Sequence, residues 1–183
     1  MISGIQCETD TAKAHTLDAE FMVEMEIFGL TTSTRTASAY ALILIEAGGS
    51  RRLPIIIGAY EAQAIALEME QIKPPRPMTH DLTMQIITDL GGQIEHIVVH
   101  HLKEGTYYAN IFIKGPISHH EVDARPSDAI ALAVRFSCPI YVDELVLEEA
   151  GVEHEENPNE EGHVNPTKKP HTRSTEEKKS PLE

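Results

Sequence analysis

The tetrad Ala-Ile-Ala-Leu occurs twice in this sequence, at residues 64–67 and 129–132, with the two copies 65 positions apart. Each copy lies in a predicted helix that follows three predicted strands. The alternative is chance recurrence of a common helical tetrad, but the matching order of strands before each copy favours an internal duplication. We therefore expect one domain built from two β-β-β-α units.

Hydrophobic periodicity defines the elements of these units. Residues 21–30 alternate apolar and acidic side chains, with Val23 and Met25 on one face and Glu24 and Glu26 on the other, which is typical of a half-buried strand. The remaining predicted strands lie at 39–47, 51–57, 93–102, 106–114, 117–124 and 138–142, and the predicted helices at about 59–72, 80–90, 126–136 and 143–150. Pro54 indicates that its strand lies at an edge or contains a bulge. The expected fold class is α+β.

Composition divides the chain into three predicted regions. Residues 1–20 form a loose N-terminal lead, residues 21–151 form the folded domain, and residues 152–183 form a disordered acidic tail. The tail is rich in Glu, Lys, Pro and Asn and has almost no large apolar residues. It therefore cannot bury enough surface to offset the entropy cost of ordering.

The sequence indicates a cytoplasmic protein without a membrane partner. No stretch approaches the roughly 18 apolar residues of a membrane-spanning helix, and the N-terminus lacks the features of a signal peptide. A disulfide between the two cysteines, Cys7 and Cys138, is not expected in a reducing compartment. The absence of CxxC and of Cys/His zinc spacing argues against a structural zinc site.

The net charge of the chain limits how it could bind nucleic acid. The formal charge is −14, and residues 148–183 contain 10 acidic and 5 basic residues of the chain's 29 and 15. The folded part is therefore acidic in its own right. Long-range attraction to phosphates normally needs a basic face. Binding to nucleic acid would thus require a local basic patch or bound metal ions.

Two polar segments interrupt the otherwise apolar domain, at residues 76–81 and 123–128. Each places an Arg-Pro pair, beginning at Arg76 or Arg125, beside a carboxylate at the start of a predicted helix. The free N–H groups at a helix N-terminus attract anions such as phosphate, and arginine adds a bidentate phosphate donor. We therefore interpret both arginines as candidate substrate-binding residues.

The same segments contain the other groups that phosphodiester hydrolysis requires. The carboxylates of Asp81, Asp123 and Asp128 could hold Mg²⁺ or Mn²⁺ through oxygen ligands, and His80 could move protons near neutral pH. This interpretation makes His80, Asp81 and Asp128 the candidate catalytic residues. A positioned water, charge neutralisation and a proton shuttle would then be present together.

A purely structural interpretation accounts for the same residues. Asp81 and Asp128 lie in predicted first helical turns, where a carboxylate stabilises the helix by roughly 0.3–1 kcal/mol. Thr79 and Ser127 would be ordinary helix caps. Arg125 could pair with Asp123 or Asp128 without any role in chemistry. Spacing alone does not decide between the two interpretations.

The remaining histidines and motifs give weaker signals. His96, His100 and His120 could share one face of the predicted sheet and form a metal cluster, whereas adjacent histidines on a strand point to opposite faces. The sequence contains no GxSxG, Walker loop, GxGxxG or HExxH motif. Serine-hydrolase, nucleotide-binding and zinc-protease activities therefore lack support.

Four runs of the sequence resemble the bifunctional nuclease domain family, formerly catalogued as a domain of unknown function. In chain order they are LPIIIGAYEAQAIALEM, RPMTHDL, DARPSDAIALAVR and PIYVDELVLEEAG. The resemblance spans about residues 21–151. Nine polar positions match the family pattern: Glu61, Arg76, Thr79, His80, Asp81, Asp123, Arg125, Ser127 and Asp128.

The resemblance implies a duplicated α+β fold whose sheet is mixed or forms a pseudo-barrel, with packed helices. It also implies a homo-oligomer and nuclease activity on DNA and RNA. The leading hypothesis is therefore a metal-assisted nuclease. The alternative is a non-catalytic oligomeric binding or regulatory module, in which the Arg-Asp segments are structural or hold a small anion.

Overall fold

The computed structural model describes residues 21–32 and 39–153. The described chain forms one eight-stranded sheet and four helices. In chain order these are β1 (Met22–Thr32), β2 (Ala39–Glu46), β3 (Arg51–Gly58), α1 (Ala59–Met69), α2 (Thr79–Asp89), β4 (Gln93–Lys103), β5 (Thr106–Lys114), β6 (His119–Ala124), α3 (Pro126–Phe136), β7 (Ile140–Asp143), α4 (Glu144–Ala150) and β8 (Val152–Glu153). The predicted lead and the tail beyond residue 153 lie outside the described residues.

The sheet is mixed, with the strand order β6-β5-β4-β7-β1-β2-β3-β8. All neighbouring strands are antiparallel except β4 and β7, which are parallel. The short strand β7 therefore joins two antiparallel three-stranded groups, β1-β2-β3 and β4-β5-β6. This arrangement confirms the α+β class and the mixed sheet. Each group is followed by a helix, α1 or α3, but a common origin of the two groups remains a prediction.

The sheet is strongly curved but does not close into a barrel. The Tyr107 hydroxyl on β5 donates a hydrogen bond of 3.3 Å to the carbonyl oxygen of Pro54 on β3, although four strands separate β5 from β3 in the sheet. The core includes Leu42, Leu53 and Ile97, all with no exposed surface. The pseudo-barrel expectation thus describes the curvature, whereas the sheet itself is open.

Local sequence accounts for the strands. On β1, Met25 is buried and Val23 packs against the core, while Glu24 and Glu26 are exposed, as the alternating pattern predicts. Strand β8 pairs only with Arg51 and Arg52, so on that side of β3 no strand of the described residues pairs with Pro54, and its missing N–H breaks none of the described ladders. Because β8 is a strand, regular structure continues two residues past the boundary expected at residue 151.

The helices differ in how many of their residues are buried. Helix α3 buries most of its residues, whereas α2 buries none. The helix expected at 59–72 ends at Met69, because Gln71 adopts a left-handed backbone with φ 55. Helix α2 ends before Gly91, whose φ of 77 suits glycine. No helix in the described part of the chain is long and apolar enough to cross a membrane.

Candidate active site

Small side chains bring the first turns of α1 and α3 close together. Both helices start directly from a strand, with Gly58 and Arg125 as their N-caps. Their contacting surfaces are rich in buried alanines, including Ala62 and Ala64 on α1 and Ala129 on α3. Because alanine adds little bulk, the helices can approach closely enough for side chains of their first turns to form ion pairs. The two tetrads thus supply the packing surface beneath the candidate site.

Four polar side chains from three helices form the cluster that we call the helix-junction site: Glu61, His80, Arg125 and Asp128. Arg125 donates from Nε to Asp128 Oδ2 at 2.7 Å and from Nη2 to Asp128 Oδ1 at 3.0 Å. The same Nη2 lies 3.0 Å from Glu61 Oε1 on α1. His80 Nε2, on α2, lies 3.2 Å from Asp128 Oδ1. The structure therefore brings the two predicted polar segments together.

The contacts of Asp128 determine its charge. Burial raises the pKa of Asp128, but the hydrogen bonds from Arg125 and His80 outweigh burial and hold the pKa below its usual value. The Asp128 side chain is 31% exposed and that of His80 only 14%. Asp128 is thus a carboxylate near neutral pH. Since a carboxylate only accepts hydrogen bonds, Nε2 of His80 carries the proton in this contact.

The protonation of Nε2 has a consequence for the other ring nitrogen. In the neutral imidazole, Nδ1 of His80 carries the lone pair, and no described residue hydrogen-bonds to it. A histidine oriented by a carboxylate, with its second nitrogen available, can accept a proton from a water or a substrate hydroxyl. The arrangement therefore contains an oriented base beside an arginine.

Arg125 is the most exposed member of the helix-junction site. Its side chain is 66% exposed, and its pKa is raised, chiefly by the hydrogen bond to Asp128. The contacts with Asp128 and Glu61 use Nε and Nη2. The two Nη1 hydrogens have no partner among the described residues, so they can bind a phosphate without breaking either ion pair.

Asp81 does not join this cluster but forms a separate ion pair. Arg135 Nε, near the end of α3, donates to Asp81 Oδ1 at 2.6 Å, and the Met78 N–H donates to Asp81 Oδ2 at 2.8 Å. Burial raises the pKa of Asp81, but these two contacts outweigh burial and lower it. Arg135 also donates to the carbonyls of Ala131, at 2.7 Å, and Ala64, at 3.2 Å. Asp81 thus fixes α2 against α1 and α3.

Sequence reasoning missed Arg135. The available signal was a single charged residue at the end of a predicted buried helix, where an unpaired guanidinium would be costly. Its side chain is 2% exposed. The sequence identifies Glu61 only as a match to the family pattern. The structure shows that it is the second carboxylate partner of Arg125.

The other predicted site residues lie apart from the helix-junction site. Arg76 precedes α2 and is exposed, and Asp123 is exposed on β6. Neither side chain forms a hydrogen bond or ion pair with another described residue. Thr79 is the first residue of α2, where Met78 is the N-cap, and Ser127 is buried in the first turn of α3, where Arg125 is the N-cap. Neither acts as the expected cap.

The predicted metal ligands, Asp81, Asp123 and Asp128, are not gathered around one point. Asp81 binds Arg135 and Asp128 binds Arg125, so a divalent cation at either would have to displace a guanidinium. No group of three or more His, Cys, Asp or Glu side chains in the described ranges is placed to hold a metal. The donor set in this arrangement therefore does not fit Mg²⁺ or Mn²⁺.

The fold and the helix-junction site together define a single α+β domain with a polar site where three helices meet. The model of the bifunctional nuclease domain matches residues 42–155, more than half of the chain. The chain belongs to this family, which confirms the resemblance.

Individual relatives extend this comparison. The uncharacterized protein Rv1829 of Mycobacterium tuberculosis is 49% identical over 111 residues, which cover 61% of this chain and 66% of that protein. Bifunctional nuclease 2 of rice (Oryza sativa subsp. japonica) is 29% identical over 56% of this chain and 33% of its own length. Bifunctional nuclease 1 of Arabidopsis thaliana is 27% identical over 61% of this chain and 36% of its own length. The chain thus spans about a third of these plant proteins.

Proposed function

We propose that this protein is a nuclease that hydrolyses phosphodiester bonds of DNA, RNA or both at the helix-junction site. The observation that carries the proposal is the contact between His80 and Asp128, 3.2 Å apart although 48 positions separate them in sequence. It joins the two polar segments at the start of α2 and α3. The names of the plant relatives, which are bifunctional nucleases, support the same substrate class.

In the proposed reaction, His80 is the general base. Asp128 holds the imidazole through Nε2, so Nδ1 accepts a proton from the attacking water. The carboxylate also stabilises the imidazolium that forms as the proton moves. His80 then returns this proton to the leaving oxygen or to solvent.

Arg125 is the proposed phosphate-binding group. Its Nη1 hydrogens would donate to a non-bridging phosphate oxygen and neutralise the charge that grows in the transition state. Glu61 and Asp128 hold the guanidinium plane in place. Arg76, exposed and without a described partner, is the proposed second contact to the nucleic-acid backbone.

No step is assigned to a metal ion, because the donor set does not fit one. Stimulation of cleavage by Mg²⁺ or Mn²⁺ remains a prediction. Chelation tests it directly, since a reaction that needs such an ion stops when it is removed.

One observation favours the alternative of a binding or regulatory module. The two carboxylates of the helix-junction site share Arg125, and Asp81 pairs with Arg135. Such compensated pairs also occur as purely structural networks. A module of this kind would bind a phosphate-bearing ligand at Arg125 and leave it intact.

The deciding experiment is a cleavage assay with the purified full chain on labelled single- and double-stranded DNA and RNA, with Mg²⁺, Mn²⁺ or chelator. His80→Gln tests the base. His119→Gln is the matched control, because His119 also contacts a carboxylate, Glu95, but lies on the exposed strand β6. We expect His80→Gln to lower kcat by about 100-fold or more and His119→Gln to leave it unchanged. Equal losses, or cleavage that survives His80→Gln, would refute the assignment, and intact substrate with binding to Arg125 would establish the module.

A further inference from the structure

The carboxylates in and beside the helix-junction site are already neutralised by arginine. Arg125 binds Asp128 through Nε and Nη2, and the same Nη2 lies 3.0 Å from Glu61 Oε1. Asp81 binds Arg135, whose side chain is 2% exposed, so a cation that displaced Arg135 would leave a buried guanidinium without its partner. The site therefore offers a histidine and an arginine for chemistry on a phosphodiester, rather than a set of carboxylate ligands for an ion.

His80 and Arg125 lie side by side because both bind one oxygen atom. Asp128 Oδ1 is 3.2 Å from His80 Nε2 and 3.0 Å from Arg125 Nη2. Among the described residues, the side-chain nitrogens that are buried without a hydrogen-bond partner are Nε of Arg52 and Nε2 of His100. Nδ1 of His80 also has no partner but is not one of these buried atoms, so a substrate hydroxyl can reach it. A phosphate bound by Nη1 of Arg125 would thus lie beside an accessible base.

The choice of nucleophile determines whether a single imidazole is sufficient. Water is a weak nucleophile, and a bound divalent ion activates it by lowering its pKa. In RNA, the ribose 2′-hydroxyl is on the carbon next to the one that carries the phosphate, so it is already held close to the phosphorus. Well-oriented intramolecular reactions reach effective concentrations of about 10⁵–10⁸ M. A base that removes the proton of this hydroxyl can therefore start cleavage without an ion bound by the protein.

We propose that the helix-junction site cleaves RNA with the substrate's own 2′-hydroxyl as the nucleophile, an inference that rests on the proposed function of this site. Nδ1 of His80 takes the hydroxyl proton, the 2′-oxygen bonds to the phosphorus, and the bond from the phosphorus to the 5′-oxygen breaks. The leaving 5′-oxygen takes a proton from solvent, and His80 releases its proton to solvent. The products are an RNA fragment that ends in a 2′,3′-cyclic phosphate and a fragment that begins with a 5′-hydroxyl.

Water enters in a second step, in which it opens the cyclic phosphate with His80 again as the base. The sum of the two steps is the hydrolysis of one phosphodiester bond. Arg125 neutralises the charge on the non-bridging oxygens in both steps, and Asp128 keeps the imidazole oriented through Nε2. DNA has no 2′-hydroxyl, so this route does not cleave it, and RNA is the substrate class of the site.

A chimeric oligonucleotide tests the nucleophile without any change to the protein. The full chain is incubated in excess EDTA with a single-stranded RNA, and with the same RNA carrying one 2′-deoxynucleotide on the 5′ side of a bond that is cleaved. Mass spectrometry identifies the new ends, because a cyclic phosphate is lighter than a linear phosphate by one water. We expect cyclic phosphate ends at early times, and a loss of cleavage at the deoxynucleotide of about 1,000-fold or more. The other bonds should be cut as before.

Two variants assign the activity to this protein, because contaminating ribonucleases can leave the same ends. His80→Gln should lower the rate at which cyclic phosphate forms by about 100-fold or more. His119→Gln, purified identically, should leave the rate unchanged, since His119 lies on the exposed strand β6. Unchanged thermal melting of both variants would show that the fold is retained.

The outcomes that would overturn this inference are distinguishable from those that would overturn the proposed function. Equal cleavage at the ribonucleotide and the deoxynucleotide, fragments that end in a 3′-hydroxyl, or RNA cleavage that stops in EDTA would each reject the 2′-hydroxyl route, while the protein would still be a nuclease. Equal loss of cyclic phosphate in His80→Gln and His119→Gln would also reject it. If neither RNA nor DNA were cleaved, with or without Mg²⁺ or Mn²⁺, the proposed function and this inference would both be wrong.

Discussion

The Arg135 guanidinium lies with its Nε 2.6 Å from Asp81 Oδ1, and its side chain is only 2% exposed. This pair connects the last turn of α3 to the first turn of α2, the turn that also carries His80. Arg135 further contacts a carbonyl from each of the repeated tetrads. The position of His80 thus depends on a charge pair outside the helix-junction site.

The first prediction concerns the stability that Arg135 provides. Arg135→Ala should lower the free energy of unfolding by about 2–4 kcal/mol, because it leaves the Asp81 carboxylate and the Ala64 carbonyl without their partner. Urea unfolding measures the change. His119→Ala, which removes a surface contact to Glu95 with the His119 side chain 69% exposed, should cost less than about 1 kcal/mol. Equal costs would show that the Arg135 pair is not structural.

The second prediction concerns the stability of the fold at low pH. Asp81 and Asp128 each have a pKa held below the ordinary value of 3.8 in the folded state, by Arg135 and Met78 in one case and by Arg125 and His80 in the other. Such a carboxylate makes its full contribution to stability at a pH above its pKa in the unfolded chain. This contribution is lost as the pH falls through the lower pKa that the carboxylate has in the folded protein. Stability should therefore drop steeply as the pH falls below about 4.

Unfolding by urea at a series of pH values between about 2.5 and 5.5 checks this expectation. Asp81→Asn should make stability fall less steeply with acid, because an asparagine amide has no carboxylate to take up a proton as the pH falls. Asp89→Asn is the control, since Asp89 contacts only Gln85 among the described residues. If the stability of the wild-type protein fell with acid no more steeply than that of Asp81→Asn, the proposed contribution of the Asp81 carboxylate would be contradicted.

Local pattern predicts most of the fold, for reasons visible in particular residues. The alternation around Met25 and the continuous apolar run of β2 identify their strands. A strand that is buried on one face has alternating apolar residues, and a strand that is buried on both faces has a continuous apolar run. The short strand β8 escaped prediction since it depends on pairing with Arg51 and Arg52 rather than on its own composition. The parallel β4–β7 contact likewise depends on tertiary packing, which periodicity does not encode.

The candidate site was predicted in part. Both polar segments were recognisable because each sets arginine beside carboxylate at a helix start, and His80, Arg125 and Asp128 do meet. The pairing of Asp81 with Arg135 could not be read from spacing, because 54 positions separate the two residues and their contact depends on how α2 packs on α3. The exposure of Leu82, Ile86 and Leu90 could not be predicted from the sequence either, because an apolar stripe on a helix has the same spacing whether it is buried or exposed.

The third prediction concerns the curvature of the sheet. Tyr107→Phe removes the hydrogen bond from β5 to Pro54 and leaves the ring in place, so it should cost about 0.5–1.5 kcal/mol in the free energy of unfolding. Tyr108→Phe is the matched control, because Tyr108 is the next residue, 39% exposed, with its ring beside His101. Comparable losses in both variants would mean that the Tyr107 contact does not help to hold the curved sheet.

The last prediction separates the two arginines proposed to bind phosphate. Arg125→Lys keeps the positive charge but cannot reach Asp128, Glu61 and a phosphate together, because an ammonium group lacks the planar fork of a guanidinium. We expect KM for a short oligonucleotide to rise by about tenfold, with a further fall in kcat because the Asp128 carboxylate loses a partner beside His80. Arg76→Lys should raise KM only slightly. Arg76 forms no hydrogen bond or ion pair with another described residue, so the ammonium group of lysine can replace its guanidinium as a positive charge near the phosphate. Initial rates across substrate concentrations distinguish the two effects, and a larger rise in KM for Arg76→Lys than for Arg125→Lys would place the phosphate contact in the segment before α2 instead of at the helix-junction site.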